Sequence, residues 1–316
     1  MTTLRAAIVG PGNIGTDLML KILDRGENVQ LERMIGILPP EESDGLQRAQ
    51  KEGVPIGTEG IDSLKEIADE VDIVFEATSA KVHKMHAPVY EELGIFAVDM
   101  TPAAVGPYAV PVVNLDSVID VTDNINMVTC GGQATTPIVH AVDRVAPVDY
   151  AEIVSTIASK SAGPGTRKNI DEFTQTTSAG LEQVGGADKG KAIIVLNPAE
   201  PPILMRNTIY TQVPDTTDIG EVRDSVAAIE KEIQSYVKGY RVTLDPLVKD
   251  QDEVGFDLGD SIIITTMIEV EGEGMHLPEY AGNLDIMTSA SLGAAERIAE
   301  SRSIGELTTA TGAADD

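Results

Sequence analysis

The chain has 316 residues, 42% of them hydrophobic, which is enough for two domains with real cores. No stretch reaches the roughly 18 consecutive apolar residues of a membrane span. With 51 acidic against 23 basic side chains the formal charge is −28, a surface that repels nucleic acid and anionic membranes. One cysteine excludes an internal disulfide and fits a reducing, cytoplasmic setting. The first residues run into Leu4–Gly10 with no basic region or cleavage site, so no secretory signal is expected. The acid is spread among apolar residues, unlike a disordered tail. Such self-repulsion calls for screening, so a halophilic-type surface in a high-salt cytosol is expected.

Leu4–Val9 reads as a buried strand. Gly10-Pro11-Gly12-Asn13-Ile14-Gly15 follows at once, and Thr16–Leu23 is apolar at helical spacing. A strand, a G-x-G-x-x-G turn and a helix form the dinucleotide fingerprint, with the pyrophosphate expected on Gly12, Asn13, Ile14 and Gly15. Leu31–Leu38 reads as the second strand. The fingerprint expects an acid about 20 residues on to bind the ribose, but the strand end reads Leu38-Pro39-Pro40, with Glu41 and Glu42 only after it. No Arg or Lys stands there to receive a 2′-phosphate, which favours NAD over NADP. Gly60–Glu70 is a short helix and Asp72–Ala77 a strand. His83 and His86 lie on the next helix; without a third ligand nearby they read as part of a solvated face, and no metal is expected. Gly94–Asp99 is another strand, and Val110–Leu115 a bridge. The alternation predicts a doubly wound α/β domain.

Residues 124–137, Asn-Ile-Asn-Met-Val-Thr-Cys-Gly-Gly-Gln-Ala-Thr-Thr-Pro, contain the lone cysteine. Cys130 followed by two glycines could open a helix, whose N-terminus would favour a thiolate and an oxyanion. A small buried hydrophobe, which is what most lone cysteines are, is the commoner structural reading. Beyond it the pattern changes. Ala151–Ala158 is a strand. Ser159–Asn169 is a polar loop with three basic residues, suited to an anionic ligand. Ile170–Val184 is a helix, and Ala192–Leu196 and Leu204–Gln212 are strands. Thr217–Val237 is a helix with Asp218 near its N-cap. Tyr240–Leu247 and Ser261–Glu271 are strands, Asp250–Asp260 is an acidic loop, and Ile286–Ala299 is a small-residue helix. The second half therefore reads as α+β and largely antiparallel.

Five segments together resemble the acylating, CoA-dependent acetaldehyde dehydrogenases of aromatic meta-cleavage catabolism: Val9–Leu18, Asn126–Pro137, Gly163–Thr177, Lys191–Pro202 and Tyr280–Thr288. The resemblance implies a Rossmann-type NAD-binding domain over 1–129, completed by a C-terminal helix at 286–303. It implies a catalytic and dimerisation domain over 130–285 like that of glyceraldehyde-3-phosphate and aspartate-semialdehyde dehydrogenases. The small, acidic residues of 306–316 themselves read as a flexible tail. The implied reaction converts acetaldehyde, coenzyme A and NAD⁺ to acetyl-CoA, NADH and a proton, through an acyl-thioester on Cys130. Carried over by position, Ser161, Ala162, Gly163, Pro164, Gly165, Thr166, Arg167, Lys168, Asn169 and Asn283 contact cofactor. A homodimer within a larger complex is implied, with a 4-hydroxy-2-oxovalerate aldolase passing on the aldehyde.

Two positions depart from the family pattern. Members carry Asp where this chain has Asn207, which can orient a group but not act as a base. They carry the ribose-binding Asp where this chain has Leu38. Two other readings follow from the same residues: a semialdehyde or phosphorylating dehydrogenase, and a non-catalytic NAD-binding redox sensor that uses Cys130 as a switch.

Overall fold

The computed structural model describes residues 3–163, 167, 170–249 and 258–312, the last ten as backbone. Contacts group the chain into two compact units: Met1–Pro107 with Leu115–Met127 and Thr288–Asp316, and Tyr108–Asn114 with Val128–Met287.

The first unit is built on a parallel sheet of β1 (Leu4–Val9), β2 (Val29–Ile35), β3 (Ile56–Gly57), β4 (Ile73–Glu76), β5 (Phe96–Asp99) and β6 (Asn124–Asn126). Its strand order is β3-β2-β1-β4-β5-β6, the doubly wound order in which ligands sit at the carboxyl ends of the strands. β1 is an almost unbroken apolar run because both of its faces are covered. The helices of this unit are α1 (Asn13–Arg25), α2 (Asp44–Lys51), α3 (Ile61–Lys65), α4 (Ala80–Leu93) and α5 (Leu115–Ile119). β2 stops at Ile35 rather than Leu38. Its neighbour β3 ends at Gly57, so no strand extends beside Ile37 and Leu38, which are 81% and 45% exposed.

In the second unit β7 (Tyr150–Ala158), β8 (Gly190–Asn197), β9 (Met205–Pro214), β10 (Tyr240–Lys249) and β11 (Ser261–Val270) form one sheet in the order β10-β11-β9-β7-β8. Only the β7–β8 pair is parallel. α6 (Cys130–Asp143), α7 (Ile170–Gln183) and α8 (Ile219–Gln234) share one apolar core with the inward residues of this sheet, among them Ile138, Ile153, Ile209, Val226 and Ile268. Asp218 caps α8 as expected, accepting from the N–H groups of Gly220 and Glu221 at 2.8 and 3.2 Å.

The final helix, α9, runs Gly282–Gly312, longer than the expected 286–303, and so takes in residues 306–312 of the expected tail. From Thr288 onward it belongs to the first unit. There Asp17 and Lys21 of α1 form a fully buried ion pair at 2.9 Å, and Thr288 donates to the same carboxylate at 2.7 Å. Glu296 accepts from the backbone N–H groups of Glu27 and Asn28, fastening α9 beside the α1–β2 turn.

Candidate active site

The Gly-rich turn has the shape that a dinucleotide needs. Gly10 has φ +110°, and a Cβ there would meet the Ala77 backbone at 2.7 Å. A Cβ on Gly15 would lie 2.0 Å from the Gly10 carbonyl oxygen, so only glycine lets α1 approach β1. Gly12 differs, since a Cβ there would meet nothing within 4 Å. It caps α1 with extended backbone and no side-chain cap, so the first N–H groups of the helix, at Asn13 and Ile14, are presented by bare backbone. A helix start with an open glycine fits a pyrophosphate. No acid ends β2, which stops at Ile35; Leu38 lies in the loop beyond it, and Glu41 and Glu42 lie exposed on the following short turn.

Two more strand ends in this unit carry buried carboxylates. Glu76 ends β4 and is fully buried. It accepts from Tyr90 at 2.7 Å and from Thr78, and pairs with His86 at 2.8 Å. Burial pushes its pKa up, but His83, His86, Thr78 and Tyr90 outweigh that and hold it at about 2. Asp99 ends β5 and accepts from the Thr101 N–H at 2.7 Å and from Asn126 at 2.8 Å. Burial dominates there and raises it to about 6. His83 sits between them, 3.8 Å from Glu76 and 3.6 Å from Asp99. Burial lowers its pKa, but the two carboxylates raise it further, for a net upward shift. The solvated histidine face expected from sequence is therefore corrected. His83 is 0% exposed and His86 is 14% exposed at its side chain, because α4 turns them onto the strand ends. No group of three metal-ligating side chains occurs among the described residues.

The cysteine does open a helix. Cys130 is the first residue of α6, and Thr129 is its N-cap. The Thr129 hydroxyl accepts from the Gly132 N–H at 2.9 Å and bonds the Thr177 hydroxyl at 2.7 Å. Val128, just before, has φ +57°, a left-handed conformation that costs a β-branched residue on the order of 1–3 kcal/mol. Its side chain fills the room left by two glycines: a Cβ on Gly132 or Gly180 would lie 2.5 or 2.8 Å from Val128 Cγ1. The strained residue before the cap thus fixes where α6, and with it Cys130, begins. Cys130 is partly exposed and packs against the second core. Burial pushes its thiol up to about 11, opposed by the N–H groups of Gly131 and of Cys130 itself. Gln133 does not reach toward it, since its amide donates to the Ala109 carbonyl at 2.8 Å.

Asn207, on β9, lies on the core face of the sheet, 1% exposed, with neither amide oxygen nor nitrogen paired. Its register partner on β7 is Ser155, 0% exposed and equally unpaired. A Cβ on Gly131 would lie 3.6 Å from Ser155 Oγ, so this polar pair lies beside the first turn of α6. The sequence reading missed Ser155. The signal was available: Ala151, Ile153 and Ile157 alternate into the core on β7, and Ser155 keeps their phase.

The cofactor positions carried over by resemblance are partly visible. Ser161 and Ala162 are buried, and Ser161 donates to the Ala158 carbonyl at 2.9 Å. Gly163 is open, with nothing within 4 Å of a Cβ. Arg167 folds back onto its own loop and donates to Ser159 and Ala162. Lys160 is paired with Glu200 at 2.6 Å, so its charge is already met. These ends of β7 and β8 frame a cavity of about 170 Å³ lined by Ser159, Lys160, Asn197 and Pro198. Asn283 is 1% exposed with an unpaired side-chain oxygen. Pro164, Gly165, Thr166, Lys168 and Asn169 lie outside the described residues.

Comparison with known proteins agrees with both halves. Residues 5–121 match the family described as semialdehyde dehydrogenase, NAD binding domain. A crystal structure of aspartate semialdehyde dehydrogenase II from Vibrio cholerae, 13% identical, covers 95% of this chain and 99% of its own with a TM-score of 0.62, which shows the shared fold. Fold, turn and this match define an NAD-binding Rossmann domain in a chain that also carries a second α+β unit.

The second unit narrows this. Residues 130–278 match the family described as prokaryotic acetaldehyde dehydrogenase, dimerisation. The acetaldehyde dehydrogenase of Desulfitobacterium hafniense is 53% identical over 94% of this chain and 96% of its own. That of Geobacillus stearothermophilus is 54% identical over 95% and 97%, and that of Roseiflexus castenholzii is 55% identical over 92% of each. The chain belongs to the acetaldehyde dehydrogenase family.

Proposed function

We propose that the chain is a CoA-acylating acetaldehyde dehydrogenase, with Cys130 as its nucleophile. The observation that carries this is the placement of the only thiol at the first position of α6, directly after the left-handed Val128 and the Thr129 N-cap.

Cys130 adds to the aldehyde carbon. The thiol proton passes to solvent water, the C–S bond forms and the carbonyl π pair moves to oxygen, giving a thiohemiacetal oxyanion. With its pKa raised to about 11, the thiol is protonated at rest, so proton loss belongs to the addition step. Gly12, Asn13, Ile14 and Gly15 would hold the pyrophosphate of NAD, with Ser161–Asn169 and Asn283 as further contacts. When bound, the nicotinamide supplies the hydride acceptor. Loss of hydride from the former aldehyde carbon leaves an acyl-thioester on Cys130. The thiolate of coenzyme A then attacks that carbonyl, forming the new thioester and returning the Cys130 sulfur. Asn207 has no basic atom and contributes hydrogen bonds only.

The wider setting follows the same reading: a cytoplasmic enzyme, a homodimer through the second unit, and an aldolase that delivers acetaldehyde from 4-hydroxy-2-oxovalerate within aromatic catabolism. The test is Cys130→Ser, assayed with acetaldehyde, NAD⁺ and coenzyme A. NADH formation should vanish while NADH binding persists; turnover in the variant would refute the nucleophile. Replacing coenzyme A with phosphate as acceptor separates the phosphorylating alternative.

A further inference from the structure

The polar pair on β7 and β9 calls for a partner that the protein does not supply. Ser155 stands between Ile153 and Ile157, and Asn207 between Met205 and Ile209, on a sheet face that is otherwise core. Asn207 is also in register with Ile268 on its other side. Three polar atoms, Ser155 Oγ, Asn207 Oδ1 and Asn207 Nδ2, are buried without a hydrogen bond. Each such atom costs about 1–3 kcal/mol when left unmet. An alanine and a leucine would fill the same face at less cost. Sites kept polar against stability are sites of function.

Their position says what they meet. Ser155 Oγ lies 3.6 Å from where a Gly131 Cβ would be, and Gly131 directly follows the nucleophile. Neither Ser155 nor Asn207 hydrogen-bonds the sulfur, so a third body must complete them. The pair is closed to solvent, so that body is small. An oxygen bonded to the carbon that Cys130 attacks fits: it stands one bond farther out than the carbon and carries the charge that addition creates.

Resting on the assignment of Cys130 as nucleophile, we propose that Ser155 is a catalytic residue that, together with Asn207, donates hydrogen bonds to the aldehyde oxygen as it becomes the oxyanion. When the C–S bond forms, the π pair goes to oxygen and meets Ser155 O–H and Asn207 Nδ2–H. Once hydride has left the carbon, for which a bound nicotinamide would be the acceptor, the pair returns to restore C=O, and the donors are released.

The experiment measures NADH formation before coenzyme A is added, which reads acylation alone, in Ser155→Ala, Ser155→Thr, Asn207→Leu and the double variant Ser155→Ala/Asn207→Leu. Losing one such donor typically costs about 10²–10³ in rate, so Ser155→Ala should slow acylation by about 10²-fold. Ser155→Thr, which keeps the hydroxyl, should recover most of the rate. The double variant should lose less than the product of the single losses, since both groups serve one oxygen. Alkylation of Cys130 by iodoacetamide builds no oxyanion and should proceed in Ser155→Ala at the wild-type rate. The melting temperature of that variant should be unchanged or higher. Acylation by Ser155→Ala at the wild-type rate would overturn the proposal, as would a parallel fall in alkylation. Failure of the wild-type protein itself to gain an acyl group on Cys130, read by intact mass, would instead remove the nucleophile assignment on which this rests.

Discussion

Gly12 and Gly15 belong to one motif, yet the structure predicts opposite failures when each becomes alanine. In Gly15→Ala the new methyl would lie 2.0 Å from the Gly10 carbonyl oxygen and 3.1 Å from Ile8 Cγ2. Carbon pairs rest at about 3.5–4.0 Å, so the overlap exceeds an ångström against backbone. The turn has little slack, because even a Cβ on Gly10 would lie 2.7 Å from the Ala77 backbone. Overpacking costs about 1–3 kcal/mol or more, against about 1 kcal/mol returned by alanine's helix propensity. A 2.0 Å clash against backbone belongs at the upper end of that range, so Gly15→Ala should lose about 2 kcal/mol of stability, and NADH binding with it. In Gly12→Ala the methyl meets nothing, and φ −79°, ψ −170° suits alanine. A slightly poorer N-cap and a less flexible unfolded chain nearly cancel, so stability should stay within about 1 kcal/mol. The methyl instead stands where a phosphate would reach the N–H groups of α1. Charged hydrogen bonds of about 1.5–3 kcal/mol are at stake, which weakens NADH by about ten- to a hundredfold. Urea unfolding and NADH fluorescence titration read the two quantities separately. A Gly12→Ala protein as unstable as Gly15→Ala, or one binding NADH at wild-type affinity, would refute the reasoning.

Glu76 is held at about 2 against an ordinary 4.5, so its ionised form stabilises the fold above about pH 4.5, and that contribution disappears as pH falls toward 2. Glu76→Gln should cost on the order of 3 kcal/mol at pH 7 and flatten the fall in unfolding free energy below pH 4.5; an unchanged acid limb would contradict it. Lys21→Met strands the buried Asp17 carboxylate and should cost about 3–5 kcal/mol in urea unfolding; a loss below about 1 kcal/mol would show that the pair contributes little. With a net charge of −28, unfolding free energy should rise between dilute buffer and 1 M KCl, as the screening length shrinks to about 3 Å. Full stability in dilute buffer, followed by circular dichroism, would remove the halophilic reading.

Much of the first unit could be read directly. A strand, three spaced glycines and an amphipathic helix interact over a few residues, so local pattern carries the βα turn at Gly10–Gly15 and the cap at Asp218. The lone thiol before two glycines marked the start of α6 for the same reason. Other features depend on what lies across the fold. His83 looked solvated until α4 laid it between the ends of β4 and β5. β2 ended early because its neighbour did. Ser155 and Asn207, 52 positions apart, became a pair only through the antiparallel register of β7 and β9. The sequence by itself determined the class of fold, the phosphate turn and the position of the sulfur, because those rest on hydrogen bonds and backbone freedom within a few residues. Tertiary structure alone decided which polar side chains are buried without partners, because burial is a property of the surfaces that pack together, and those surfaces come from distant parts of the chain.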